Sequence, residues 1–227
     1  RWARLCLVTT PAEEALLRSF APWARTAVVP NGIDLDQYRP LETTPGEPAV
    51  MFTGAMDYLP NIDAVEYFHH EILPAVRREI PETRFYIVGL NPSPRVRRLA
   101  DTPGVIVTGT VPDVRPYYER AAVAVAPLRM GRGVQNKVLQ AMAMGVPVVA
   151  TSRACQGLAA EPGQHLHVED HPAAFAVRVV EMLKSPGERW ALGRSGRAFV
   201  EAHHGWESSL ARLDSLLASV TSSGMTA

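Results

Sequence analysis

Six times between residues 50 and 184, a short β-branched apolar run meets a break and then gives way to the three-to-four-residue apolar spacing of a helix. Residues 50–53 lead through Gly54 to a helical pattern over 60–79, 84–88 through Gly89 to 94–100, and 105–108 through Gly109 to 113–120. Residues 122–126 precede the helical 134–144, residues 147–150 a short segment at 152–158, and residues 165–168 the helical 172–184. The extended runs do not alternate, so they read as strands covered on both faces, and strands separated by helices pair in parallel. The expected fold class is α/β, a doubly wound parallel sheet. Such sheets bind ligands at the carboxyl ends of their strands, where loops meet helix N-termini.

Composition narrows the function. The 227 residues are 47% hydrophobic, enough for a substantial core, and 23 basic side chains balance 23 acidic ones. Zero net charge provides no overall field for a phosphate polymer, so no nucleic-acid partner is expected. Cys6 and Cys155 are the only cysteines and have no metal-ligand spacing, which fits a reducing, cytoplasmic setting. No apolar run approaches the roughly 18 residues that span a bilayer. Arg1-Trp2-Ala3-Arg4 carries neither an initiator Met nor a signal-peptide pattern, and the expectation is a piece of a longer protein.

Two flanks frame the central pattern. Residues 5–30 read as one extra βαβ unit, and the Pro- and Gly-containing stretch 40–48 has linker composition, so a boundary is expected near residue 45. The divisions are 1–44, a central sheet domain over 45–186, two helices over 187–220, and a disordered tail over 221–227.

The richest chemistry lies in residues 131–150, a glycine loop followed by a helix and a strand. At 100° per residue, Gly133, Lys137, Gln140 and Met144 share one stripe of that helix, and Val134, Val138, Ala141 and Met142 cover another. Free amides and the positive end of the helix dipole favour an anion at its start, and Lys137, one turn in, adds a charge that can reach a diphosphate. Gln140 can bind a ribose hydroxyl. From these residues alone, an ordinary surface helix after a tight glycine turn remains the alternative.

Several segments together resemble the group 1, family 4 glycosyltransferases of the two-domain B-type fold. Val28-Val29-Pro30-Asn31-Gly32-Ile33-Asp34 is similar to the family's interdomain crossing segment. Phe52-Thr53-Gly54, Phe85-Tyr86-Ile87-Val88-Gly89 and Val107-Thr108-Gly109-Thr110-Val111 resemble its first three donor-domain strands with their loops. Residues 140–150, from Gln140 through Gly145-Val146-Pro147 to Ala150, resemble its most specific stretch. The Arg132-Gly133-Val134-Gln135-Asn136-Lys137 variant looks most like a bacterial subgroup tied to exopolysaccharide synthesis alongside exosortases.

The resemblance implies the Rossmann-like, nucleotide-sugar-binding half of a hexosyltransferase-type enzyme, inactive alone, in polysaccharide or glycoconjugate synthesis. Residues 1–44 would then be the end of the acceptor domain plus the crossing, and 187–220 would cross back toward it. The implied donor site has Gly54, Ala55, Arg132, Gly133 and Lys137 at the phosphates, Thr110 and Val111 near the base, and Gln140 at the ribose. The catalytic group is expected in the N-terminal half, which would also bind a glycan or lipid-linked acceptor, with peripheral contact at the inner membrane face. No cofactor and no metal are expected, because amides and cations meet the charge of the departing diphosphate.

This sequence departs from the family where its two usual glutamates stand, at Arg132 and Gln140. A glutamine carbonyl still accepts a hydrogen bond, but a guanidinium cannot. Two alternatives therefore stand beside the transferase: a degenerate nucleotide-binding module, and a B-type nucleotide-sugar epimerase.

Other motifs read as structure. His165 and His167 would share one side of a strand without a third ligand nearby in sequence. The adjacent pairs His69-His70 and His203-His204 point about 100° apart on a helix and cannot both face one site. Arg77-Arg78 and Arg95-Val96-Arg97-Arg98 suit solvated faces. Gly89-Leu90-Asn91-Pro92-Ser93 lacks the dinucleotide fingerprint, and Cys155 reads as core.

Overall fold

The computed structural model describes residues 3–40, 47–131 and 133–222. The chain opens with a small unit in which β1 (Cys6–Val8) and β2 (Thr26–Val28) pair in parallel around α1 (Pro11–Phe20). Thr10 and Glu13 cap α1 reciprocally: the Thr10 hydroxyl accepts from the Glu13 amide, and the Glu13 carboxylate accepts from the Thr10 amide.

The central sheet contains β3 (Ala49–Thr53), β4 (Arg84–Val88), β5 (Val105–Gly109), β6 (Val123–Ala126), β7 (Val148–Ala150) and β8 (His167–Val168). All pairings are parallel, in the order β5-β4-β3-β6-β7-β8. Strands β3, β6 and β7 are buried along their whole length, which is the physical reason for their unbroken apolar runs. The order reverses direction between β3 and β6, and a crevice opens at such a switch point, beyond the carboxyl ends of the strands.

Helices α2 (Leu59–Tyr67) and α3 (Leu73–Glu79) follow β3, joined by one wide π-turn at Phe68–Ile72. Within that turn Phe68 packs on Phe85 and Phe175, with ring centroids 4.6 and 6.3 Å apart. The same turn overrides the expectation for His69 and His70. Their rings meet within it, Nδ1 to Nδ1, at 3.2 Å, and His69 Nε2 lies 2.9 Å from Thr102 Oγ1.

The remaining helices are α4 (Pro94–Arg98), α5 (Arg115–Arg120), α6 (Asn136–Ala143), α7 (Pro172–Lys184), α8 (Pro186–His203) and α9 (Trp206–Ser222). Helices α6 and α8 approach closely: a Cβ on Gly193 would lie 2.0 Å from the Gly145 carbonyl oxygen, so only glycine fits there.

Three sequence expectations need correction. Residues 152–158 form turns instead of a helix, since the Thr151 hydroxyl accepts from the Ala154 amide and Gly157 takes a φ of 86°. Helix α6 starts at Asn136 and not at residue 134, because Gly131 and Gly133 hold φ values of 123° and 77°. Helix α9 continues through Thr221, whose hydroxyl donates to the Leu217 carbonyl, to Ser222, so the first two residues of the expected tail are helical; residues 223–227 lie outside the described residues. The boundary expected near residue 45 lies outside the described residues.

Candidate functional site

At the switch point lies a cleft of about 460 Å³, within the size range of small-molecule sites. Its floor is made by two glycine loops that leave β3 and β4. The Gly54 amide donates to the Val88 carbonyl at 3.0 Å and the Met56 amide to the Leu90 carbonyl at 2.8 Å. A Cβ on Gly89 would stand 1.7 Å from the Gly54 carbonyl oxygen, so the loops can touch only because residue 89 is glycine.

Helix α6 points its N-terminus at this floor. Among the described residues no side chain caps its first turn, so amide donors there remain available to an anion. Lys137, in the same turn, donates from Nζ to Asn61 Oδ1 at 2.5 Å, and Asn61 Nδ2 donates to the Ala55 carbonyl at 2.9 Å. Burial pushes the Lys137 ammonium down to about 7. Among the described residues no Asp or Glu lines the cleft or pairs with Lys137. The arrangement is a half-buried cation beside free amide donors, with the charge chemistry of a phosphate site.

One turn on, Gln140 Nε2 donates to the Tyr38 hydroxyl at 2.9 Å, and its Oε1 lies 3.5 Å from the Tyr118 hydroxyl. Tyr118 is fully buried, its hydroxyl 3.2 Å from Thr53 Oγ1, and burial raises its pKa. Tyr38 arrives from the segment between β2 and β3. That segment is tied to the end of α8, where the Ile33 amide donates to the His204 carbonyl at 2.7 Å.

Of the residues singled out in the sequence, Gly54, Ala55, Lys137 and Gln140 meet in the cleft. Gly133 sits on the loop before α6 and does not line it; a Cβ there would face Glu13 Oε1 at 3.7 Å. Thr110 and Val111 follow β5 and also stand off, the wall on that side being Val114. Arg132 lies outside the described residues. The sequence assigns Asn61 no role and gives no sign of Tyr38. Asn61 is the third residue of the helix after the Gly54 loop, a position that carries a signal; Tyr38 contacts Gln140 across 102 positions and carries none.

The histidine pairs and Cys155 take no part in the cleft. His165 packs against Phe199 at 4.8 Å between ring centroids. Burial, with a smaller contribution from Asp170, pushes the Cys155 thiol up to about 12. Arg77 is drawn off the solvated face by two hydrogen bonds to the Thr83 carbonyl, at 3.1 and 3.0 Å. Among the described residues no three His, Cys, Asp or Glu side chains group as a metal site, and no helix is long and apolar enough to cross a membrane.

The family model described as glycosyl transferases group 1 matches residues 47–185. The chain belongs to the group 1 glycosyl transferases. Solved structures share the fold of this group 1 chain. Sucrose-phosphate synthase from Thermosynechococcus elongatus aligns at 24% identity and TM-score 0.79, over 97% of this chain and 59% of that one. TarM of S. aureus, solved with Fondaparinux, alpha-GlcNAc-glycerol and UDP, aligns at 15% identity and TM-score 0.80, over 92% and 43%. HepE of Anabaena, solved with UDP and glucose, aligns at 14% identity and TM-score 0.75, over 96% and 63%. This group 1 chain thus spans between 43% and 63% of the length of these three. No curated protein sequence matches it.

Proposed function

We propose that this chain is the donor-binding part of a glycosyltransferase, and that its cleft holds a nucleoside diphosphate sugar. The observation that carries the reading is Lys137: a half-buried ammonium with no carboxylate partner among the described residues, beside the uncapped start of α6, at the switch point of the sheet. In the bound state Lys137 and the first amides of α6 meet the diphosphate, and they stabilise the charge that develops on it as the sugar departs. Asn61 steers the lysine while the Gly54-Ala55 backbone allows close approach. Gln140 meets the ribose, and Val114 closes the side from which the base enters. Solved relatives with UDP in the same fold support a nucleotide partner.

The acceptor is proposed to be a glycan or lipid-linked glycan bound by a domain outside this chain, with residues 1–44 and 187–220 as the parts that reach it. Phe20 and Trp23, 63% and 71% exposed, and Leu210 and Leu217 on α9 leave apolar surface that such a domain would cover. On this reading the chain alone binds donor without transferring sugar, and the role in polysaccharide synthesis rests on the resemblance of residues 132–137.

Calorimetric titration with UDP, GDP and ADP and the matching monophosphates, with chelator present, tests the site. Binding of one diphosphate well above its monophosphate supports it; equal affinities, or no binding, remove it. Transfer by a protein containing this chain and an acceptor domain separates enzyme from binding module.

A further inference from the structure

Gln140 is the cleft residue whose chemistry depends most on which way round it is held, because a carboxamide has one donor end and one acceptor end. In the structure each end faces a tyrosine hydroxyl. Nε2 donates to the Tyr38 hydroxyl at 2.9 Å, which leaves Oε1 on the side of the Tyr118 hydroxyl at 3.5 Å. Each end is used once, so Oε1 keeps a lone pair and Nε2 keeps a hydrogen. That adjacent acceptor and donor match two vicinal hydroxyls, one donating and one accepting.

Tyr38 is itself rigidly placed. Its amide donates to the Asp34 carbonyl at 2.9 Å, and its carbonyl accepts from Arg197 Nη1. The same guanidinium also binds the Ala143 carbonyl at 2.6 Å and the Leu35 carbonyl at 3.4 Å, which ties the Tyr38 segment to the end of α6. Both Tyr38 and Gln140 line the cleft.

Resting on the reading of this cleft as a nucleoside diphosphate site, we propose that Tyr38 is a positioning residue: it orients the Gln140 amide to read the ribose diol, and so makes the site select ribonucleotides over deoxyribonucleotides. A carboxylate at position 140 would need no such help, since its two oxygens are equivalent. Selectivity built on an amide depends on the partner that holds it.

The test titrates the chain, Tyr38→Phe, Gln140→Glu and the double variant with the best-bound nucleoside diphosphate and its 2′-deoxy form, with thermal melts confirming the fold. The unmodified chain is expected to prefer the ribonucleotide about tenfold or more, equivalent to about 1.4 kcal/mol. Tyr38→Phe is expected to bring the two within about threefold, through weaker ribonucleotide binding and unchanged deoxynucleotide binding. In the Gln140→Glu background, Tyr38→Phe is expected to leave the preference in place. A wild-type ratio retained in folded Tyr38→Phe overturns the proposal, as does an equal weakening of both ligands, which would make Tyr38 a packing surface. If the unmodified chain binds none of UDP, GDP or ADP, the proposed function falls and this inference with it; binding without ribose preference overturns the inference alone.

Discussion

The Lys137 ammonium lies 4.4 Å from the centre of the Phe52 ring, where the end of β3 meets the first turn of α6. The ring face offers a cation some of what water would, on the order of 1–2 kcal/mol in a desolvated site. That does not offset burial, which still pulls the lysine down to about 7. The free site therefore holds an unstable charge that an anionic ligand would relieve.

The first expectation concerns stability. The unfolded lysine keeps its proton to about 10.5 and the folded one only to about 7, so below 7 both states are charged and the burial penalty is fully present. Between those values the unfolded chain holds the extra proton, and stability rises with pH until the penalty is gone above 10.5. The penalty is on the order of 3–5 kcal/mol. Lys137→Met is therefore expected to melt several degrees above the unmodified chain at pH 6.5, with the gain fading toward pH 10. Equal melting temperatures at pH 6.5 would contradict this.

Ligand binding should move that proton. A diphosphate beside Nζ favours the ammonium, so binding at pH 8 is expected to take up close to one proton. Affinity should fall by up to about tenfold per pH unit above 7. Calorimetry in buffers of different ionisation enthalpy measures the uptake directly, and a binding enthalpy independent of buffer would count against it. A nucleoside diphosphate sugar is the ligand to use, because it lacks a terminal phosphate titrating near 6.

Gly89→Ala is expected to damage the floor of the site. Its Cβ would fall 1.7 Å from the Gly54 carbonyl oxygen, in a backbone with a φ of 153°, so both loops must move. A loss of about 3 kcal/mol or more in urea unfolding is expected, with nucleotide binding abolished. A variant of unchanged stability would show that the loops are not in contact.

Arg197 holds the Tyr38 segment to α6 through carbonyls of Leu35, Tyr38 and Ala143. Arg197→Met keeps much of the side-chain volume but strands those acceptors, at about 1–3 kcal/mol. Hydrogen exchange over residues 33–40 is expected to speed up markedly while β3, β4 and β6 stay protected. Uniform protection would show that the segment is anchored elsewhere.

The sheet was legible in the sequence because its strands are covered on both faces. Residues 49–52 and 148–150 are apolar without alternation, and each run ends at a threonine that leads into a loop. The π-turn at Phe68–Ile72 was not legible, because packing of Phe68 against Phe85 and Phe175 overrides a helical repeat that itself looks continuous. In the cleft, Lys137 and Gln140 could be read from their spacing on one helix. Tyr38 could not: its role depends on Arg197 and Gln140, which are distant in sequence, and no local pattern records them.

The measurement that bears most directly on the account is paired calorimetric titration of the unmodified chain and Lys137→Met with one nucleoside diphosphate, in chelator. The unmodified chain is expected to bind, and the equally folded variant about 10- to 100-fold more weakly, the range of a lost charge-assisted contact of about 1.5–3 kcal/mol. Equal affinities would place the nucleotide elsewhere and contradict the account.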